Sequence, residues 1–356
     1  VLRECRAVRQ AVGLFDGSTL GKIEVVGPDA AEFLNRIYTN NWLKLKPGRC
    51  RYGLMLKEDG YIMDDGIVAR MAADRFHVTT TTGGAPRVLA HMEDYLQTEF
   101  TDLDVALTST TEQWAVIAVQ GPKAREVITP LVEDIDLSDE ALPFMGVAEG
   151  GFAGAACRLF RVSFTGEFGY EINVPADYGA AAWEAVVAAG QAHGITPYGT
   201  ETMHVLRAEA GFIIVGQETD GTVTPDDAGL GGLVSKVKKD FVGKRSLARA
   251  DLVGDGRKQL VGLLSDDPDV VFDEGAQVVD DPDQAIPMEM LGHVTSSYLS
   301  ANVLHEGRPR SIALAVVRDG RQRTGATLHV TTETGFQSAQ VVGPRFLAAE
   351  GGKQDG

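Results

Sequence analysis

The run Ser163-Phe-Thr-Gly-Glu-Phe-Gly-Tyr-Glu171 sets two carboxylates, Glu167 and Glu171, around two glycines and among aromatic rings. Read locally, it is a strand, a tight Gly-containing turn and a second strand. Gly166 and Gly169 can take positive φ or let a ligand approach the backbone closely. A half-buried glutamate beside rings can accept two parallel N–H bonds from a flat, nitrogen-rich heterocycle. The plainer reading is a hairpin with solvated glutamates. Asp64-Asp65 follows the apolar strand end Tyr61-Ile-Met63. Adjacent strand residues point to opposite faces, so one of the two at most can face a pocket. A buried aspartate there could hold an amine or take its proton; a turn or cap is the commoner use of such a pair. Thr79 to Thr82 could supply hydroxyls at a pocket floor, although β-propensity alone accounts for them. Tyr52, shortly before the aspartates, could stack on a ligand or fill the core.

Bulk properties exclude several classes. The chain has 356 residues, 44% hydrophobic and 23% charged, with a net charge of −17 and no basic stripe. A nucleic-acid or anionic-membrane partner is therefore not expected. No apolar run reaches the ~18–20 residues of a bilayer span, and no signal peptide is visible, so the expected location is cytoplasmic. The chain begins at Val1, already helix-like and without Met, which suggests a segment of something longer. Cys5, Cys50 and Cys157 are scattered and read as reduced core thiols. The histidines do not cluster; His204 reads as a satisfied buried residue, and no metal site is expected. Lys236, Lys238, Lys239, Lys244 and Arg245 form the one basic concentration, read as a solvated surface with attraction of a polyanionic tail as the alternative. Dinucleotide and phosphate loops, a Gly-x-Ser-x-Gly elbow and a His-Glu-x-x-His pair are all missing from the sequence.

A weak repeat sets the organisation. Lys22-Ile-Glu-Val-Val-Gly-Pro and Ala115-Val-Ile-Ala-Val-Gln-Gly-Pro each read as an apolar strand, a Gly-Pro turn and an amphipathic helix, with Pro28 and Pro122 in the first helical turn. Two related α+β lobes follow from it. A hairpin turns at Lys57-Glu-Asp-Gly60, and helices are expected over 84–97, 180–192 and within 198–211. After the polar linker at Gly254-Asp-Gly-Arg257, short strands dominate, as in a small C-terminal β-barrel or sandwich. The expected division is 1–252, 253–349, and a disordered tail at 350–356.

Several motifs together resemble the folate-dependent aminomethyltransferase family, which includes the glycine cleavage T-protein. They are Leu14-Phe-Asp-Gly-Ser, Met63-Asp-Asp-Gly-Ile-Val, Ala118-Val-Gln-Gly-Pro, Phe164-Thr-Gly-Glu-Phe-Gly-Tyr-Glu, Leu206-Arg-Ala-Glu-Ala-Gly and Gly292-His-Val-Thr-Ser. The match runs nearly end to end. Within the family, the long run from Pro197 to Asp227 and Lys239-Asp-Phe-Val-Gly-Lys-Arg-Ser-Leu are most similar to the C-terminal half of heterotetrameric sarcosine oxidase alpha subunits.

The resemblance implies an α+β cloverleaf, two related lobes plus a small C-terminal β-barrel, around a central folate-binding hole. It implies tetrahydrofolate as cofactor, with flavin and NAD only on other domains or subunits. It implies capture of the imine or formaldehyde unit from a sarcosine-type N-methyl amine as 5,10-methylenetetrahydrofolate, in partnership with a flavin-bearing oxidase. A free-standing T-protein, a folate-dependent demethylase and a non-catalytic folate-binding module are the alternatives. By resemblance, Asp65 is the catalytic acidic residue beside the reactive nitrogens and Glu171 grips the pterin's amino-pyrimidine edge. Ile67, Thr79 and Phe164 fall at other folate-lining positions, and Tyr52 at a ring-stacking one. Phe164 replaces a common Tyr, and Met203 stands where T-proteins carry an Arg.

Overall fold

The structure is a computed structural model that describes residues 1–347; the expected tail at 350–356 lies outside the described residues. Among those residues the strands form three sheets. The first runs, in spatial order, β3 (Arg49–Leu56), β4 (Ile62–Ala72), β5 (Arg75–Thr80), β2 (Gly21–Val26) and β6 (Ala106–Ser109). The second runs β12 (Thr196–Pro197), β1 (Gly13–Asp16), β7 (Trp114–Gln120), β11 (Gly169–Pro175), β10 (Ala155–Phe160), β9 (Val147–Phe152) and β8 (Val132–Glu133). The third closes into a barrel of β13 (Lys258–Ser265), β16 (Arg308–Arg318), β15 (Gly292–His305), β14 (Gln277–Val279), β17 (Thr327–Thr332) and β18 (Gly335–Val342). The architecture is the α+β one expected, with the barrel rather than the sandwich. No helix among the described residues is long and apolar enough to cross a membrane.

The helices α1 (Leu2–Gln10), α2 (Ala30–Ile37), α3 (Ala85–Thr98), α4 (Ala124–Ile128), α5 (Gly179–Gly190) and α6 (Thr200–Glu209) cover the sheets. The internal repeat is present in three dimensions. β2 passes through Gly27 into α2, and β7 passes through Gly121 into α4. The two glycines hold similar backbones, φ +143° and +132°. A Cβ on Gly27 would lie 2.2 Å from the Asp104 carbonyl oxygen, and one on Gly121 would lie 2.6 Å from the carbonyls of Val8 and Ala11. The prolines sit one step earlier than expected: Asp29 and Lys123 are the N-caps, so Pro28 and Pro122 lie in the turn before each helix.

Strand β16 shows why its sequence reads Ile-Ala-Leu-Ala-Val-Val. A continuous apolar run belongs to a strand covered on both faces. Ala313, Ala315 and Val317 fill the barrel interior. Ile312, Leu314 and Val316 alternate with them and belong to one apolar cluster with Cys5 and Val8 of α1 and Val205, Leu206 and Ala208 of α6. All three cysteines are buried and free.

Charged side chains join the pieces. Arg158 of β10 donates to Glu24 of β2 and, at 2.8 Å, to Nδ1 of the buried His77 of β5, which links the two lobes. Arg9 of α1 grips Glu209 of α6 at 2.8 Å, and Glu209 also accepts from Ser300 and Asn302 of β15. Arg207 reaches Glu218 and Ser296, both at 2.7 Å.

Two local expectations need correction. β10 ends at Phe160, so Ser163–Phe168 is an irregular loop rather than a strand, and only Gly169–Glu171 is β-structure. The loop turns through Gly166, φ +81°, and Glu167 reaches Arg9 at 3.0 Å instead of continuing the ladder. The lysine-rich stretch is not a purely solvated face either. Lys238 is 6% exposed. Its ammonium donates to the carbonyls of Tyr38 and Asn40, and Lys244 donates back to those of Lys238 and Lys239. Main-chain carbonyls left free by loops attract these cations inward.

Gly27→Ala is expected to cost about 1–3 kcal/mol, because the substituted residue would hold a strained φ against a carbonyl. Gly83, where a Cβ would meet nothing within 4 Å, is the control; Gly83→Ala should stay within ~0.5 kcal/mol. Urea midpoints check both, and equal midpoints would contradict the assigned turn geometry.

Candidate active site

The hairpin β3–β4 builds one wall. Its register pairs Tyr52 with Ile67 and Leu54 with Asp65, while Met55 pairs with Asp64. Directly paired residues share a face, so Tyr52, Asp65 and Ile67 look one way and Asp64 the other. Asp64 is 2% exposed and structural. Its Oδ1 accepts from the main-chain N–H of Asp65 at 2.8 Å and of Thr81 at 3.2 Å, and its Oδ2 accepts from the Thr81 hydroxyl at 3.1 Å. Asp65 is the aspartate that faces the cavity. Its Oδ2 accepts a short hydrogen bond from the Tyr52 hydroxyl, while no described residue bonds its Oδ1. Burial pushes the Asp65 carboxyl up to about 7, opposed by the Tyr52 hydrogen bond and reinforced by the Asp64 charge.

Thr79 and Gly66 explain how β4 and β5 part beside this wall. A Cβ on Gly66 would stand 2.0 Å from the Thr79 carbonyl oxygen. The Thr79 hydroxyl takes the place of a ladder bond: it accepts from Ile67 N–H at 2.8 Å and donates to Ile67 C=O at 3.1 Å. Thr80 and Thr81 also spend their hydroxyls on the protein. The threonines line the cavity but hold the strands rather than offering a row of free hydroxyls.

The second sheet supplies the facing wall. Glu171 sits on β11 between Phe160 of β10 and Ala118 of β7. No described residue gives its carboxylate a hydrogen bond or ion pair, and burial alone pushes it up to about 7. Ile67 packs on a cluster that includes Cys50, Phe160 and Val162 and joins the two sheets beside it. Phe164 is 37% exposed and stacks on Phe212, with ring centroids 6.2 Å apart. Glu167 does not join Glu171; it belongs to the Arg9 pair.

One cavity of about 2000 Å³ brings Tyr52, Asp65, Ile67, Thr79, Phe164 and Glu171 together. Both sheets, α6 through Met203 and His204, and Pro344 after the barrel's last strand contribute to its lining. Sequence reasoning missed its cations. Lys44, Lys46, Arg49, Arg51, Lys57, Arg87 and Arg345 line it, against the carboxylates of Asp65, Glu171 and Asp220 alone. The spacing of four cations over 44–51 was the available signal. Gln120 was also missed as a support: its Nε2 donates to the carbonyls of Val162 and Tyr170, both at 3.3 Å, which fixes the two ends of the Phe164 loop. His204 lies part-exposed on the cavity wall, so it is not the buried histidine expected.

Comparison with known proteins places this geometry. The family model of the GCVT N-terminal domain matches residues 1–238, and that of the glycine cleavage T-protein C-terminal barrel domain matches residues 258–347. The chain is 50% identical, over its whole length, to a sarcosine oxidase subunit alpha from Corynebacterium sp. (strain P-1), and spans 36% of that protein. It is 39% identical to an aminomethyltransferase from Corynebacterium aurimucosum, over 74% of this chain and 70% of that protein. A crystal structure of the glycine cleavage system aminomethyltransferase T from Bartonella henselae superposes with a TM-score of 0.85 at 26% identity, covering 99% of this chain and 91% of that one. The chain thus belongs to the glycine cleavage T-protein family and carries an aminomethyltransferase-type domain. It spans about a third of the length of the sarcosine oxidase subunits that it matches.

Glu171 gives a stability prediction with a definite sign. A carboxyl whose folded-state pKa is raised from 4.5 to about 7 favours the native state at low pH, and that contribution is lost as pH rises through about 7. Glu171→Gln removes the burial cost of the charge. Its melting temperature should therefore exceed the parent's at pH 8, with the difference fading toward pH 4. Thermal unfolding across that range checks it; a constant offset would show that Glu171 does not titrate near 7.

Proposed function

We propose that the chain binds tetrahydrofolate in the central cavity and there captures the one-carbon unit left by oxidation of a sarcosine-type N-methyl amine, giving 5,10-methylenetetrahydrofolate. One observation carries this reading: two desolvated carboxylates without counter-ions, Asp65 and Glu171, come from different sheets to one cavity. Half-buried carboxyls with pKa raised toward neutrality, in a cleft, are candidates for proton handling and for recognition of N–H donors.

The residues present fit a folate. The cavity exceeds the ~300–1,000 Å³ of ordinary small-molecule sites, leaving room for a bicyclic ring and a long tail. Glu171, with no partner of its own, would accept the paired N–H donors of an amino-pyrimidine edge. Ile67 and Phe164 would pack on the ligand's rings. Bound folate would supply nucleophilic nitrogens to trap an electrophilic one-carbon unit. Asp65 Oδ1, ionised above about pH 7, would hold an amine N–H and accept its proton. Fixing the partners in this way is worth up to ~7–11 kcal/mol of barrier. Closing the cavity to bulk water protects the carbon from release as formaldehyde.

Identity along the whole chain to sarcosine oxidase alpha subunits supports the amine-oxidising context. Flavin and NAD would then sit on other parts of a longer protein or on partner subunits, since no dinucleotide loop occurs in this sequence. Met203 on the cavity wall supports a donor other than the one a glycine-cleavage T-protein uses.

The test uses the assembled oxidase turning over sarcosine with tetrahydrofolate, reading how the carbon partitions between free formaldehyde and the folate product. Asp65→Ala should leave amine oxidation unchanged, keep folate binding within about tenfold, and divert the carbon to formaldehyde, as expected for loss of a positioned base. In the parent, the folate-bound share should rise as pH rises through about 7. An unchanged product share in Asp65→Ala would refute the reading.

A further inference from the structure

We propose that Tyr52 is a positioning residue for Asp65: its hydroxyl holds one carboxylate oxygen and leaves the other for the ligand. The inference deepens the reading above, and the geometry that carries it is independent of any ligand. Tyr52 lies two residue pairs along from Asp65 on the neighbouring strand, on the same face, which is a diagonal cross-strand contact within reach of a tyrosine. Its hydroxyl donates to Oδ2, while Oδ1 receives no bond from any described residue. The main-chain N–H of Asp65 is fixed separately by Asp64 at 2.8 Å. Backbone and one oxygen are thus both anchored, and the second oxygen is the free acceptor.

Tyr52 is itself braced. β3 is the edge of its sheet, so its outer backbone groups need other partners. Asn40 supplies them: its Nδ2 donates to the Tyr52 carbonyl at 3.0 Å, and its Oδ1 accepts from Leu54 N–H at 3.1 Å. The buried Lys238 holds the Asn40 carbonyl at 2.9 Å. The chain Lys238–Asn40–Tyr52–Asp65 gives this inward-turned lysine a role that its sequence neighbourhood hid.

The charge logic has a definite sign. The titratable groups that act on Asp65 are Tyr52 on β3 and Asp64 on β4, with Tyr38 behind them in the core. Among these, the Tyr52 hydrogen bond is the one side-chain contact that favours the ionised carboxylate. Burial pushes the Tyr52 hydroxyl well above its ordinary range, so it remains a donor. Removing it must raise the Asp65 midpoint.

The test reads that midpoint by carbon-13 NMR of aspartate-labelled chain without ligand, with the Asp65 signal assigned by its loss in Asp65→Asn. Tyr52→Phe should raise the midpoint by about one unit or more. 3-Fluorotyrosine at position 52, a stronger donor of nearly the same shape, should lower it; it also serves if Tyr52→Phe folds poorly. In the assembled oxidase, the acid limb of the carbon-partition profile should move by the same amount and in the same direction. Midpoints unmoved by both changes overturn the inference whatever the ligand. A moved midpoint with an unmoved partition profile overturns the positioning role. If Asp65→Ala leaves partition intact while the midpoints move, the proposed function fails, yet the Tyr52–Asp65 coupling has been measured on its own.

Discussion

Arg158 and Glu24 meet between the two sheets, one of several buried charged contacts that join the elements around the cavity. Ordinary cores are stabilised by contact across their centre. Here the centre is open, and charged groups join the apolar clusters in tying the surrounding elements together: Arg158 with Glu24 and His77 between the lobes, Arg9 with Glu209 between α1 and α6, Arg207 with Glu218 and Ser296 toward the barrel. Such buried pairs contribute little net stability against apolar replacements, but losing one partner strands a charge at a cost of ~3–5 kcal/mol. They specify an arrangement more than they strengthen it.

The rim and the site use opposite electrostatics. Around the rim, arginines are matched to carboxylates. Inside the cavity, Asp65 and Glu171 lack counter-ions, and Arg49, Arg51 and Arg87 pair with no carboxylate among the described residues. In a chain with a net charge of −17, leaving cations and acids unmatched within one cavity is a standing cost. On the proposed function, the unmatched groups are the ones a ligand with both N–H donors and anionic groups would satisfy. Stability and recognition are separated in space.

Much of this was legible in the sequence, and the gaps have physical reasons. Strand-Gly-Pro-helix signals are local, so the two lobes could be read from Gly27 and Gly121. The short strands after Gly254 were read from their apolar runs, and the coverage of β16 on both faces emerged only in the fold. The opposite fates of Asp64 and Asp65 followed from strand alternation. Long-range facts stayed hidden. Glu167 groups with Glu171 in sequence, yet its partner Arg9 is 158 positions away. Tyr52 could be assigned a ring but not a hydrogen bond, because that bond depends on hairpin register, which shifts at Met55/Leu56. Lys238 looked solvated because its acceptors are carbonyls that only the folded loop at Tyr38–Asn40 presents. The Thr79 hydroxyl looked available because nothing local shows that the β4–β5 ladder stops at Val68 and that this hydroxyl takes over the Ile67 backbone bonds.

The two-sided strand β16 bears on how such proteins are assembled over evolutionary time. Separate family models recognise the front and back of the chain, which invites the view of interchangeable modules. Yet Ile312, Leu314 and Val316 share one apolar cluster with residues of α1 and α6. A recombination event that grafted in a foreign barrel would seat an unmatched surface on those helices. The barrel and the lobes are thus a fitted couple, and exchanging one alone would expose a mismatched apolar face.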